Sequence, residues 1–429
     1  MRNTIVALSS GSGRAGIAVV RVSGGDALQV LNEIAGVTPE PRAMALRAFR
    51  TAEGELIDRG LVVWFPAGSS FTGEDLVEFH CHGSPAVVSL LLKTLSARPA
   101  CRLAEPGEFA LRAFQDGRLS LPEAEALGDL LAAETEAQRK QSVRLMEGAL
   151  MSRAGEWRSD LLRALALIEV TIDWADEEVP QDVQPEVSHL VADALAEMRE
   201  QLAGADRAER LRTGFEVALV GAPNAGKSSL FNKIAGREAA ITSAFAGTTR
   251  DVGELRYDLQ GLPIVFLDLA GLREASDPVE QEGVRRARER AAKADLRVFL
   301  KAPDVGKAEG VDRQVGDLVV ATKADLAGGT SGLSVSSVTG EGLPEMLDEI
   351  YKRVRDREDM SLIGHHRQRM AVEDSVRFCE DALDRVGSDD LEVVAESLRG
   401  ALHSLDVLVG RTGVEDVLGE VFSSFCLGK

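Results

Sequence analysis

The chain has 429 residues, 45% of them hydrophobic and 28% charged, so two or three domains with packed cores are expected rather than disorder. A formal net charge of −20 excludes a globally basic, phosphate-gripping surface, and an aromatic content of 4% excludes a base-stacking platform.

Residues 1–118 read as mixed α/β. Apolar strand-like runs at 17–22, 60–65 and 76–80 alternate with turn signals, and a helical stretch lies around 85–95. In the third run His80, Cys81 and His82 resemble a metal cluster. Strand alternation instead puts the two histidines on one face and Cys81 on the other, which favours a structural or ligand-lining use. From Leu119 the texture becomes helical. Ser120-Leu121-Pro122-Glu123 has the form of a capping box, and Leu161, Leu165, Ile168 and Ile172 keep one helical face. Another helix is expected over 186–212. Residues 214–352 alternate strands and helices. Helical texture returns after 353, where Val394, Leu398, Leu402 and Leu405 share a face behind a break at 387–390. His365 and His366, just ahead of a helix, read as surface residues. The run Arg285-Arg286-Ala287-Arg288-Glu289-Arg290 reads as a solvated helix face. The simplest architecture is multidomain, α/β and all-α, with an α/β domain inserted into a helical bundle.

Four cysteines (Cys81, Cys101, Cys379, Cys426) are dispersed without a CxxC pair, the usage of a reducing compartment. No apolar run reaches membrane-spanning length and the start lacks a signal-peptide core, so a cytoplasmic location without a membrane partner is expected.

The chemistry concentrates in the inserted domain. The apolar run 216–220 leads into Gly221-Ala222-Pro223-Asn224-Ala225-Gly226-Lys227-Ser228 and then Ser229-Leu230-Phe231. Glycines let the backbone amides curl around a β-phosphate, Lys227 brings charge to the β- and γ-phosphates, and the Ser228 hydroxyl suits Mg²⁺. The apolar run 263–267 ends in Asp268-Leu269-Ala270-Gly271, whose carboxylate can hold the Mg²⁺ shell and whose last amide can sense the γ-phosphate. Between them, Thr249 in the Gly247-Thr248-Thr249 run can complete that shell. Thr322-Lys323-Ala324-Asp325 follows a further strand, and its carboxylate can accept both N1–H and the exocyclic amine of guanine. GTP is therefore expected, with ATP as the rival to be separated by nucleotide competition.

These motifs resemble the translation-factor-related GTPases, with two departures. Thr322 stands where Asn usually ties the base loop to the phosphate loop, which leaves its effect on guanine affinity open, and Leu269 replaces a Thr. Leu272 occupies the position of the water-orienting Gln of Ras-like enzymes. Glu274, Asp277, Glu280 and Glu282 are all physical candidates to replace it.

Beyond the G domain, three blocks carry a closer resemblance. They are the run from Phe71-Thr72-Gly73-Glu74-Asp75 to His82-Gly83, the run Ala104-Glu105-Pro106-Gly107-Glu108-Phe109-Ala110-Leu111-Arg112-Ala113-Phe114, and the terminus Cys426-Leu427-Gly428-Lys429. With them, the chain resembles the MnmE (TrmE) family of tRNA modification GTPases over nearly its whole length. The resemblance implies a tetrahydrofolate-binding and dimerisation domain at 1–118 and a helical domain split into 119–212 and 354–429. A Ras-like P-loop G domain at 213–353 lies between the halves. It implies a homodimer that works with the FAD protein MnmG on tRNA. A carbon from 5-formyl- or methylene-tetrahydrofolate would enter C5 of the wobble uridine as a carboxymethylaminomethyl-type group.

It also implies residues. Nucleotide contacts fall on Asn224, Ala225, Gly226, Lys227, Ser228 and Ser229, on Ser243, Ala244, Phe245, Ala246, Gly247, Thr248 and Thr249, and on Asp268, Leu269, Ala270 and Gly271. The base contacts are Thr322, Lys323, Ala324, Asp325, Ser336, Ser337 and Val338. Mg²⁺ falls to Ser228 and Thr249, and K⁺ to Asn224, Ser243, Phe245 and Thr248, where it would supply the charge of an arginine finger. The match selects Glu280 to orient the attacking water. Folate contacts fall on Arg21, Glu78, Arg118 and Lys429. The rival class is a regulatory GTPase of ribosome assembly, which would need no folate pocket.

Overall fold

The computed structural model describes residues 3–173, 183–237, 239–241, 253–268, 278–305, 311–326, 332–355, 361–387, 390–413, 415–423, 425 and 428. In chain order its elements are β1 (Thr4–Leu8), β2 (Ala15–Ser23), α1 (Ala27–Ala35), β3 (Ala45–Arg50), β4 (Leu56–Phe65), β5 (Leu76–Gly83), α2 (Pro85–Ser96), β6 (Cys101–Leu103) and α3 (Glu108–Gln115). Five helices follow: α4 (Leu121–Ala132), α5 (Glu136–Met146), α6 (Ala149–Asp173), α7 (Gln184–Ala203) and α8 (Ala205–Thr213). Then come β7 (Phe215–Gly221), α9 (Lys227–Ala235), β8 (Glu254–Leu259), β9 (Leu262–Asp268), α10 (Pro278–Lys293), β10 (Leu296–Lys301), β11 (Leu318–Thr322), β12 (Ser334–Val335) and α11 (Leu343–Val354). The last are α12 (His366–Arg385), α13 (Leu391–Val409) and α14 (Glu415–Ser423). They form two compact units: Met1–Gly128, Met146–Val183 and Ser388–Lys429 in one, Asp129–Leu145 and Gln184–Gly387 in the other.

The first unit holds a sheet ordered β3-β4-β5-β2-β1-β6, antiparallel except for the β1–β6 pair. Along β5, Val77, Phe79 and Cys81 are buried while Glu78, His80 and His82 alternate with them on the other face. Val30, Leu31 and Ile34 of α1 and Leu91 and Leu95 of α2 close the core on the Phe79 side. The short elements β1, β3, β6, α1 and α3 add to the strands and helix legible in the sequence. Three residues, as in β6, hold no readable period, and it is the pairing with β1 that makes them a strand.

Two of the distinctive sequence blocks meet in one buried ion network. Arg112 of α3 donates to Glu74 at 2.8 Å, to Glu108 at 2.9 Å and to the Asn3 carbonyl at 2.8 Å. Arg102 forks onto both oxygens of Glu108 at 2.6 and 2.7 Å, and Glu74 also accepts from Ser23 at 3.1 Å. These residues hold α3 to the sheet.

The expected capping box forms at α4. Ser120 N–H donates to Glu123 at 2.7 Å, and Glu123 N–H donates back to Ser120 Oγ at 3.3 Å. Leu161, Leu165 and Ile168 of α6 are buried, as are Val394, Leu398, Leu402 and Leu405 of α13, and the two helices pack together. Arg158 ties to Asp406 across them at 3.1 Å. After α14, Phe422 and Phe425 enter a cluster with Ala110, Ala124 and Leu127. Gly107 is needed here, because a Cβ would sit 2.2 Å from the Phe422 carbonyl oxygen. Gly428 then lies against the end of β1, where it accepts a bond from Ser9 Oγ at 3.0 Å.

In the second unit α7 packs on α12. His365 departs from the surface reading. It caps α12 in a capping box with Gln368, is partly buried, and its Nε2 lies 2.8 Å from Asp129. His366 is exposed, and so are Arg285, Arg286 and Arg288. Arg290 is exposed too, and it bonds Glu216 at 2.8 Å and pairs with Glu254.

The second sheet runs β12-β11-β10-β7-β9-β8, all parallel except the β8–β9 hairpin. That hairpin turns on Gln260-Gly261, both at positive φ (53° and 90°), the geometry of a two-residue turn matched to strand twist. Leu230 and Ile234 of α9, with Met346, Leu347 and Ile350 of α11, pack on one side of the sheet; Ala291 of α10 packs on the other. This is a doubly wound α/β domain, and its ligands belong at the carboxyl ends of the parallel strands. Among the described residues, no helix is long and apolar enough to cross a membrane.

Candidate nucleotide site

Four sequence motifs converge at one end of the second sheet. Central β7 runs out into the phosphate loop, β9 ends at Asp268, β11 ends at Thr322, and β12 leads into Ser336. The loop carries two residues in the left-handed region, Asn224 (φ 63°) and Gly226 (φ 93°), which Asn and Gly accommodate at least cost. Gly226 is followed at once by the first turn of α9, whose amides and dipole favour an anion.

Lys227 is buried and folds back on the loop. Its Nζ donates to the carbonyls of Gly221 at 2.7 Å and Ala222 at 3.0 Å. Burial pushes its ammonium below the ordinary lysine value, and the nearby Asp268 charge partly offsets this. A phosphate at the loop would add the negative charge that this buried cation lacks. Asn224, Ser228 and Ser229 are exposed at the same rim. The Asp268 N–H is held by the Gly253 carbonyl at 2.7 Å, where a Cβ on Gly253 would sit 2.9 Å from the Asp268 main-chain oxygen. A hydroxyl (Ser228) next to the lysine in sequence and a carboxylate (Asp268) near enough to act on its charge suit Mg²⁺, a hard cation that prefers oxygen ligands.

The base side answers the question raised by Thr322. Its buried Oγ1 donates to the Ala225 carbonyl at 2.7 Å, across 97 residues of sequence. The tie between base loop and phosphate loop is thus present, made by a hydroxyl instead of an amide. Thr322→Val removes this bond while keeping shape, at a net cost of about 1 kcal/mol. We expect GDP affinity, measured by fluorescent-nucleotide displacement, to fall roughly fivefold to tenfold, with Thr322→Ser close to the parent chain. Lys323 (φ 60°) pairs with Asp304 at 2.7 Å. Asp325 accepts from the buried Ser336 hydroxyl at 2.6 Å, which sets the carboxylate plane and leaves the side chain exposed. Ser337 is partly buried beside it, and Val338 is exposed.

Ser243, Ala244, Phe245, Ala246, Gly247, Thr248, Thr249, Leu269, Ala270 and Gly271 lie outside the described residues, as do Cys426 and Lys429. Glu280 falls in the first turn of α10, and its side chain is likewise outside the description.

In the first unit, Arg21 and Glu78 are register partners on β2 and β5 and form an ion pair at 2.8 Å. His80 lies against the other Glu78 oxygen at 3.1 Å. Arg118 is anchored elsewhere, to the Gly68 carbonyl at 2.6 Å and Asp116 at 2.9 Å, and shares no hydrogen bond with either residue. Sequence reasoning missed His80 as a neighbour of Glu78, although their spacing of two on a strand is the signal for a shared face.

Comparison with known proteins extends well beyond the G domain. A family model described as the MnmE helical domain matches residues 121–426, and one described as the GTP-binding protein TrmE N-terminus matches residues 4–118. A tRNA modification GTPase MnmE of Roseobacter denitrificans is 50% identical over 430 aligned positions, covering all of both chains. Those of Cereibacter sphaeroides (strain ATCC 17029) and Paracoccus denitrificans are 51% and 50% identical with the same full coverage.

Proposed function

The chain belongs to the MnmE family of tRNA modification GTPases, and from that premise we propose how its parts divide the work. It is a GTP hydrolase that takes part in tRNA modification. In our reading the G domain at 213–353 turns over GTP in a K⁺-dependent way. It interrupts a helical domain whose halves are 119–212 and 354–429. Residues 1–118 bind a tetrahydrofolate derivative and pair two copies into a homodimer. With the FAD protein MnmG, the dimer installs a carboxymethylaminomethyl-type group on the wobble uridine of certain tRNAs. Full-length likeness to proteins named as tRNA modification GTPases favours this reading over the ribosome-assembly alternative.

The observation that carries the GTPase reading is the gathering of Lys227, Asp268, Thr322 and Asp325 at one sheet end. Lys227 meets the β- and γ-phosphates, Ser228 and Thr249 hold Mg²⁺, and Asp325 reads guanine. Asn224, with oxygens of Ser243, Phe245 and Thr248, holds K⁺, and Glu280 orients the attacking water. The exposed left-handed Asn224 suits this use, since its side chain is free to reach a cation at the loop rim.

The folate reading draws on Arg21 and Glu78, where a carboxylate and a guanidinium on adjacent strands offer complementary edges to a pterin. Arg118 and Lys429 would take the glutamate tail. Gly428, beside Ser9, brings the C-terminal end of the chain to this domain. Leu46 and Leu61, register partners on β3 and β4, are exposed together on the sheet and suit a copy-to-copy contact.

Replacing K⁺ with Na⁺ tests the hydrolysis mechanism. We expect GTP turnover to fall at least about tenfold, because the cation stands where an arginine finger would act. Asn224→Ala should remove the difference between the two salts. Equal rates in the parent chain would overturn the K⁺ assignment.

A further inference from the structure

The proposed folate site leaves unused a second pair on the same sheet. Asp58 accepts the backbone N–H of His82 at 2.8 Å, and its two oxygens lie 2.9 and 3.1 Å from the ring Nδ1. The Arg59 N–H adds a bond at 2.7 Å. Burial pushes the Asp58 carboxyl up, but the bonds from His82 and Arg59 outweigh it and hold the group below its ordinary value. An ionised carboxylate only accepts, so Nδ1 carries a proton and Nε2 is left as the working nitrogen. The His82 ring is 71% exposed, whereas the Asp58 side chain is only 12% exposed. A half-hidden acid thus orients an open imidazole.

The placement matters as much as the pairing. His82 stands on the face of β5 that carries Glu78 and His80, four residues beyond Glu78 and about 13 Å along the strand. A folate gripped at its aminopyrimidine edge by Glu78 and laid along β5 would bring its N5 and N10 towards His82. We propose that His82, oriented by Asp58, is the proton-transfer residue that opens the N5–N10 methylene bridge of the bound folate. The inference rests on the folate reading above.

The Nε2–H of the imidazolium gives its proton to N10 as the bond from N10 to the bridging carbon breaks, with the bond electrons going to N10. The N5 lone pair forms a C=N5 double bond to that carbon, so the positive charge moves from the imidazole ring to an N5 iminium. Asp58 balances the charge on the ring before transfer and holds the ring in place through it. The electrophilic carbon is then open to attack, and in the absence of another nucleophile water adds and releases formaldehyde.

Two measurements on the full chain test this. Calorimetry with 5-formyltetrahydrofolate, which has no bridge to open, reads binding alone. Exchange of isotope-labelled formaldehyde into methylenetetrahydrofolate reads bridge opening. We expect His82→Gln to bind the formyl compound within about twofold of the parent chain and to lose roughly 100-fold of the exchange acceleration. Asp58→Asn, which spoils the tautomer, should lose about tenfold, and diethylpyrocarbonate should modify its His82 more slowly. Unchanged exchange in His82→Gln would overturn the proposal, as would loss of formyl-compound binding in that variant or no acceleration by the parent chain. If the parent chain binds no folate at all, the folate reading fails together with the proposal.

Discussion

Asp325→Asn should exchange guanine for xanthine as the preferred base. In the proposed reading the carboxylate would accept from N1–H and from the exocyclic amine, two charge-assisted bonds worth about 1.5–3 kcal/mol each. Ser336 holds one oxygen at 2.6 Å and fixes the plane in which both are offered. An asparagine of the same shape keeps one acceptor but turns its amide hydrogens towards the guanine amine. A loss of about 3 kcal/mol or more follows, which is 100-fold or more in GTP affinity. Xanthine carries an oxygen where guanine carries the amine, so the new amide can donate to it. Competition between GTP and XTP for the fluorescent nucleotide checks this. An unchanged preference for GTP would remove Asp325 as the reader of the base.

Arg112→Ala should destabilise the N-terminal domain by about 3–5 kcal/mol, the cost of leaving buried charge without its partner. Arg112 is 4% exposed and its fork serves Glu74, Glu108 and a main-chain carbonyl at once. Arg112→Lys should recover only part, since one ammonium cannot reproduce the planar fork. The network also sets a pH dependence. Burial would raise the Glu108 carboxyl, but the bonds from Arg102, the Glu105 N–H and Arg112 overcome it and hold the folded value low. The stabilisation is therefore present above the unfolded glutamate value of about 4.3 and is lost as pH falls through the lower folded value. Urea unfolding at near-neutral pH and below about pH 4 reads both effects. The parent chain should lose stability on acidification, and Arg112→Ala should lose somewhat less, because one of the bonds that hold Glu108 low is gone while those from Arg102 and the Glu105 N–H remain. Equal midpoints for the two chains at neutral pH would show that the network carries no stability.

Much of the nucleotide domain was legible because its chemistry is local. A strand, a glycine-bearing loop and a helix in direct succession announce a phosphate site, since the loop that curls and the helix that follows are neighbours in sequence. The capping box at Ser120 and the stripe of Leu161, Leu165 and Ile168 were readable for the same reason. His365 was misread because its capping role and its Asp129 partner depend on residues brought together by folding. The block containing Glu74 and the block containing Glu108 and Arg112 were recognised as distinctive, but nothing within either says that they bond to each other.

The sequence alone determined the alternation of strand-bearing and helical stretches, the position of the phosphate loop and the periodic faces of the long helices, because those depend on spacing over a few residues. Tertiary structure decided what strand register and chain closure bring together. It put the Thr322 hydroxyl on Ala225, Arg21 beside Glu78, Asp58 under His82 and Gly428 against Ser9. A hydrogen bond is sensitive to tenths of an ångström, and no local pattern specifies that distance between residues tens or hundreds of positions apart.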